Sequence, residues 1–357
     1  MKKVGLGLIV IIIVLVVLVF YYFQESEVNI DIDSEKVSDS NQEPLLEEEV
    51  FFDPNELKWN LAAENASWAK RDAHTIEVFN NEILLMGGIE DGDINIAYEH
   101  HNHFSDVWAT ENGNDWELIT DQAEFGQRRA HNSIVFQNKI WIFGGWEKGA
   151  WQLKNDIWYS EDGKNWTELN SSAGWTPRKG HSTVVFKDKI YIIGGVDNYG
   201  AVNDVWASEN GLDWELITDS APWVARYDQT VTVFKDKLWL IGGVQPGLRG
   251  EKDVWVSENG KDWELVTDQV PWKGRHGHCA IVFKDRLWIL AGWSGTGIGY
   301  NDVWYSQDGL SWEELLIESP FKGREDPDCA VFDNKIWIMG GMLTSGRRLN
   351  DVWYLGK

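Results

Sequence analysis

Six tryptophans recur in register along this chain: Trp108, Trp158, Trp206, Trp255, Trp304 and Trp353. Each closes a near-copy of Asn-Asp-Val-Trp, with Ser105-Asp106-Val107-Trp108 and Lys252-Asp253-Val254-Trp255 the loosest copies. Successive copies lie 50, 48, 49, 49 and 49 residues apart. A fixed period of this length means one supersecondary unit used six times, and such units stack because none buries its apolar face alone.

One unit begins with an aromatic residue and an arginine three positions later: Trp68/Arg71, Phe125/Arg128, Trp175/Arg178, Trp223/Arg226, Trp272/Arg275 and Phe321/Arg324. A first strand follows, such as His181–Phe186, then a two-residue turn such as Lys187-Asp188. The second strand is apolar throughout and ends in Gly-Gly, or in Ala291-Gly292 in the fifth unit. A variable loop leads to the third strand at Asp-Val-Trp. An Asn-Gly or Asp-Gly pair then predicts a tight hairpin with φ > 0 at both central residues. The fourth strand opens with another tryptophan: Trp116, Trp166, Trp214, Trp263 or Trp312.

Four short antiparallel strands in each of six units predict an all-β chain folded as a six-bladed β-propeller. The sixth unit stops at Lys357 without a fourth strand. Trp59 precedes Trp68 by the nine residues that separate Trp116 from Phe125, so 57–61 is expected to supply that strand and close the ring.

At this point the chain resembles the kelch repeat family, in which paired glycines after an apolar strand precede a tyrosine and a tryptophan seven apart. Tyr159/Trp166 and Tyr305/Trp312 match, and Tyr354 holds the place in the last unit; Ala109, Ala207 and Val256 depart from it. The resemblance spans roughly 57–357 and implies the propeller. It leaves function open, because kelch propellers include protein-binding adaptors, bacterial sialic-acid mutarotases and copper oxidases. The oxidase chemistry cannot be carried over, since neither its cysteine nor its histidine ligands match positions here.

Before the repeats stands Met1-Lys2-Lys3 and then an uncharged run, 4–23, ending in Phe20-Tyr21-Tyr22-Phe23. Twenty residues at a 1.5 Å rise cover about 30 Å, the hydrocarbon thickness of a bilayer. The lysines before and acids after it predict a single-pass signal anchor, with 1–3 cytoplasmic and the bulk of the chain extracytoplasmic. A cleaved signal peptide would give the same compartment. Residues 24–56 hold 12 acids and one lysine and read as an acidic, disordered stalk, with Leu45, Leu46, Val50, Phe51 and Phe52 able to dock on the domain. The propeller is placed at 57–357. The net charge of -25 argues against nucleic acid or an anionic membrane surface as partner.

Features present in every unit are architecture, and features present in one are candidates for function. The six arginines would suit a carboxylate ligand, but Asp106, Asp156, Asp204, Asp253, Asp302 and Asp351 accompany them one for one, which favours structural Arg–Asp pairs. His74, His131, His181 and His278, three after the arginine, read as strand residues rather than ligands. Cys279 and Cys329 sit four and three residues before Phe283 and Phe332, so their thiols are expected on different sides, as small buried hydrophobes rather than a disulfide.

The residue just after each arginine behaves differently: Asp72, Arg129, Lys179, Tyr227, His276 and Glu325 are six residue types at one position. With Asp228, Asp326 and the loops 89–105, 146–154, 196–202, 244–251, 293–300 and 342–349, they are expected on one rim. Such a dipolar mouth suits a polar ligand with one anionic group and several hydroxyls; solvated positions free to drift would look the same. Trp151 stands outside the repeat and, with Tyr199 and Tyr300, offers an aromatic face for a sugar ring. The expected function is an extracytoplasmic binding propeller for a glycan or a protein. The alternative is a carbohydrate-active enzyme of the sialic-acid mutarotase or epimerase type, with His276 and Glu325 as acid and base. No cofactor is called for. The first unit alone carries His100, His101 and His103 in an extended loop, whose spacing fits no compact zinc motif and which reads as a mobile polar loop.

Overall fold

Each repeat folds first as a hairpin dictated by its own turn. The two residues between first and second strands, such as Asn80-Asn81 and Lys187-Asp188, have φ between +47° and +65°, the primed turn that matches strand twist. The computed structural model describes residues 52–90, 101–150, 152–247 and 249–357. In blade 1, Thr75–Phe79, Glu82–Met86, Val107–Thr110 and Glu117–Thr120 pair antiparallel in chain order. The next four blades repeat this order, from first strands Asn132–Phe136, Ser182–Phe186, Thr230–Phe234 and Cys279–Phe283.

The sixth blade closes as expected. Lys58–Ala63 pairs antiparallel with Val352–Gly356, with Trp59 opposite Leu355. The folded unit begins at Phe52, earlier than the stalk boundary led one to expect. Phe52 packs edge-on against Phe283 at 6.0 Å, its carbonyl accepts from Arg286, and Leu57 is buried. The apolar segment 4–23 lies outside the described residues. Among the described residues, no helix is long and apolar enough to cross a membrane.

After its charged first residue the second strand is apolar, because both of its faces are covered. Ile83 and Leu85 pack with Trp337 and Met339 of blade 6, while Leu84 and Met86 pack with Ile140 and Ile142 of blade 2. Side chains alternate sides along a strand, so each blade gives alternate residues to its two neighbours.

This alternation corrects the expectation for the cysteines. Cys279 and Cys329 do leave opposite faces of their own sheets, but adjacent blades meet through opposite faces. Both therefore enter the same interface between blades 5 and 6, with their sulfur atoms within 4.8 Å of one another. Both are free thiols.

The repeated Arg, Asp and Trp form one device. In every blade the arginine donates to both carboxylate oxygens of its aspartate, at 2.5–3.0 Å. The third-strand tryptophan donates its indole N–H to the same carboxylate at 2.7–2.9 Å. The arginine also donates to the carbonyl that ends the second strand, as Arg275 does to Ala291. These six guanidinium groups are fully buried and bridge the second and third strands; they do not line a carboxylate site.

The Asn-Gly and Asp-Gly hairpins depart from the two-residue turn expected of them. Asn112 Oδ1 accepts from the N–H groups of Asn114 and Asp115, and Thr110 Oγ1 accepts from Gly113, so the loop is built on side-chain bonds. Only the glycine of the pair has positive φ, +73° at Gly113.

Candidate functional site

The first strand of every blade starts where the chain turns out of the Arg–Asp bridge, and this turn sets the geometry of the channel mouth. The residue after each arginine pairs with the residue after Gly-Gly: Asp72 with Ile89, Arg129 with Trp146, Lys179 with Val196, Tyr227 with Val244, His276 with Trp293 and Glu325 with Met342. The six variable positions therefore share one mouth with the start of the variable loops.

One residue further in, the chain lies in the left-handed region in all six blades, at Ala73, Ala130, Gly180, Asp228, Gly277 and Asp326, with φ of +48° to +58°. Their peptide groups join blade to blade. The N–H of Ala130 donates to Ala73, Gly180 to Ala130, Asp228 to Gly180, Gly277 to Asp228 and Asp326 to Gly277, at 2.8–3.0 Å. The N–H of Ala73 completes the circuit on the Asp326 carbonyl at 3.4 Å. A closed belt of backbone hydrogen bonds thus forms the neck of the channel.

A second belt lies one turn deeper. Thr75 Oγ1 meets His131 Nε2 at 3.1 Å, Asn132 donates to the His181 carbonyl, Ser182 to the Gln229 carbonyl, and Thr230 Oγ1 meets His278 Nε2 at 2.9 Å. A cavity of about 240 Å³ runs along the channel, lined by both belts and by strand residues just past the second, such as Thr183 and Ile281. Burial, with the nearby arginines, holds the histidine rings well below their usual range, His74 and His181 down to about 3. They are neutral wall residues, as their place on the strand implied.

Above the neck the side chains divide by charge. Arg129 and Lys179 occupy adjacent blades, and Arg129 lies over the Trp146 ring at 5.6 Å. Burial, then the charge of Arg129, lowers the Lys179 pKa against the pull of Asp228 and Asp326. Across the mouth, Nδ1 of His276 sits 3.6 Å from Glu325 Oε1 and 3.8 Å from Asp228 Oδ2, too far for hydrogen bonds. That nitrogen is buried without a hydrogen-bond partner. Burial alone would lower the His276 pKa, but the two carboxylates outweigh it and raise it. Glu325 is pushed up to about 7 by burial and by Asp228 and Asp72, against His276 and Arg348. Asp326 is also raised well above the ordinary carboxylate range, by burial, then by Asp228, Glu325 and Asp72. Tyr227 is raised by burial and by these acids.

The expected rim is thus a recessed basin and not a set of solvated positions. Asp72 and His276 are buried, and Arg129, Lys179, Tyr227 and Glu325 are half-buried. Asp72 is held by Arg348, whose Nε donates to Oδ1 at 2.7 Å. Arg348 lies in the variable loop of blade 6, three before Asp351, where the other blades carry His103, Leu153, Ala201, Gly250 and Gly299, so the position repeats but its arginine does not. The aromatic candidates separate. Tyr199 is exposed, whereas Tyr300 lies 4.6 Å from the Arg275 guanidinium and covers the blade 5 bridge. Trp151 and His100 lie outside the described residues. His101 and His103 are both buried. His103 lies with Nδ1 2.9 Å from the His101 carbonyl and its ring 5.0 Å from Trp146, and burial lowers its pKa to about 4.

Two further acids were missed because each stands alone on its strand. Glu77 accepts from Ser133 at 2.8 Å, and Asp328 accepts from the N–H groups of Ile76 and Cys329. Burial raises Glu77 to about 8 and Asp328 to about 7. The signal was available: Glu77 interrupts the inner strand Thr75–Phe79 and Asp328 opens Asp328–Phe332, both otherwise mostly apolar.

Residues 38–243, more than half of the chain, match the family described as KLHDC2/KLHL20/DRC7 Kelch-repeats domain. No curated protein matches the chain at a significant level.

Proposed function

The chain belongs to this Kelch-repeats family, and on that premise we propose that it is a binding propeller whose ligand enters the basin above the neck. A kelch propeller fold suggests a binding scaffold. The observation that carries the choice of surface is the contrast between adjacent positions. The arginine is the same in all six blades, while the residue after it differs in every blade and faces the channel mouth.

The ligand we propose is polar and carries charge of both signs or an anionic group with hydroxyls, as a glycan or a loop of a partner protein does. Its anionic group would meet Arg129 and Lys179, and its hydroxyl or ammonium donors would meet Asp228, Glu325 and Asp326. We propose further that the propeller stands outside the cell membrane, tethered by 4–23 through the acidic segment; the lysines before and acids after that run support this orientation.

One observation favours a second reading, an enzyme that exchanges anomers or epimers of an acidic sugar. His276 and Glu325 approach within 3.6 Å, and Glu325 is held near neutrality, so one could donate and the other accept a proton at pH 7. The experiment is a binding screen of sialylated and uronic-acid glycans, followed by an anomer-exchange assay on each hit. Under the binding reading, Lys179→Met weakens the hits and no exchange is catalysed. Under the enzymatic reading, exchange occurs and is abolished in His276→Ala and Glu325→Gln while binding persists.

A further inference from the structure

Four consecutive blades tie their inner strands together through a hydroxyl or amide at one position: Thr75, Asn132, Ser182 and Thr230 each reach the next blade. The fifth blade keeps this link through a thiol in place of a hydroxyl or amide, Cys279 Sγ donating to the Pro327 carbonyl at 3.9 Å. A serine or threonine there would serve the belt better, since a thiol is a weak donor. The sixth blade departs with Asp328, which reaches blade 1 as an acceptor from the Ile76 N–H, and Cys329 follows directly. Two departures from a sixfold pattern thus fall side by side at one interface.

They bring three donor atoms together. Cys279 Sγ, Cys329 Sγ and a carboxylate oxygen of Asp328 all lie within 4.8 Å of one another. All three residues also line the channel cavity. The Asp328 carboxylate is oriented from behind, with Oδ2 on the Ile76 N–H of blade 1 and Oδ1 on the Cys329 N–H, both at 2.8 Å. Such outer hydrogen bonds fix a carboxylate as a metal ligand.

We propose that Cys279, Cys329 and Asp328 bind a thiophilic divalent cation, zinc by preference, with water from the channel as fourth ligand. Two sulfurs and one carboxylate select a borderline-soft ion over magnesium or calcium. Sulfur bonds of about 2.3 Å around a tetrahedral zinc require the donors to close together by roughly 1 Å, which side-chain rotation supplies. The ion displaces one proton from each thiol and the proton of Asp328 wherever that carboxyl carries one, and these protons leave through the channel to solvent; no electron is transferred. Bound there, the ion staples blade 5 to blade 6.

Cobalt is the probe, because a thiolate bound to cobalt gives a charge-transfer band and the chain has two cysteines in all. The full-length chain, reduced and stripped with a chelator, is titrated with cobalt while absorbance and proton release are followed. The expected result is one equivalent bound, with a tetrahedral spectrum, about two protons released at pH 8.5 and more as the pH is lowered, and displacement by zinc. Cys279→Ala and Cys329→Ala each lose the band, and Asp328→Asn weakens binding at least tenfold. Zinc raises the unfolding temperature of the wild-type chain and leaves that of the Cys279→Ala/Cys329→Ala chain unchanged, which separates metal binding from any folding defect. Absence of the band from folded wild-type protein overturns the proposal. So does equal cobalt affinity in the double variant, or a Cys279–Cys329 disulfide that persists in reduced, zinc-containing buffer.

Discussion

The carboxylate of Asp228 occupies the space that a β-carbon at Gly180 would fill, while its own N–H donates to the Gly180 carbonyl at 2.8 Å. Asp326 stands over Gly277 in the same way. Two of the six neck positions are therefore bare so that two carboxylates can lie across the channel.

Gly180→Ala is expected to fail on both counts. A β-carbon at φ of +58° costs about 1 kcal/mol, and it displaces the Asp228 carboxylate from the basin. Ala130→Gly, at φ of +48° in the same belt, relieves strain without moving a carboxylate. Denaturant midpoints should shift in opposite directions for the two variants. No loss in Gly180→Ala would contradict the close approach.

The Arg–Asp–Trp device predicts graded losses. Asp302→Asn leaves the Arg275 guanidinium fully buried without its counter-charge, at a cost of about 3 kcal/mol. Trp304→Phe removes the indole donor on the same carboxylate and costs about 1 kcal/mol. Urea unfolding of the 52–357 chain measures both. Equal effects would mean that the tryptophan matters for packing and not for its bond.

Buried acids and buried histidines tilt stability with pH in opposite ways. Burial foremost, opposed by the Ser133 hydrogen bond and helped by Asp328, holds the Glu77 pKa at about 8. The folded chain keeps this proton after the unfolded chain has released it, so stability falls as pH rises from the ordinary carboxylate range toward 8. Glu77→Gln should flatten that limb and be the more stable protein at pH 8–9, by up to several kcal/mol at ~1.4 kcal/mol per pH unit. His74 and His181 act on the other side: held at about 3, they lose stability as pH falls below their unfolded range near 6.5. Thermal unfolding from pH 4 to pH 9 tests both limbs, and an unchanged Glu77→Gln profile would refute the first.

The closing strand predicts a defect of association. A chain lacking 52–63 exposes the edge of Val352–Gly356 and uncovers Phe321, on which Trp59 packs at 5.0 Å. It should oligomerise on size exclusion where the chain from Phe52 stays monodisperse. A supplied 52–63 peptide should restore the single species.

Much of this was legible because it repeats. Asp302 and Trp304 announce their bond by recurring with Arg275 at fixed spacing, and Trp59 announces the ring closure by standing nine residues before Trp68. What repetition cannot mark was missed. The neck is made of peptide groups, which every sequence has, and only the left-handed backbone at Ala73 through Asp326 creates it. Arg348 comes from a loop whose residues differ from blade to blade, so no recurrence marks it. The cysteines were misplaced because strand parity was applied within a sheet, whereas opposite parity is what brings side chains together between neighbouring blades. Asp72, Lys179 and Glu325 stood out through variety at one position, but their burial follows from the neck and was invisible without it.

The central claim is that the basin above the neck is where this propeller binds. The most direct test is a glycan array, including sialylated and uronic-acid sugars, probed with 52–357 and with Lys179→Met and Asp228→Asn variants that fold normally. Hits on the parent chain lost in both variants are the predicted result. Hits retained undiminished in both would contradict the account and move the site elsewhere on the propeller.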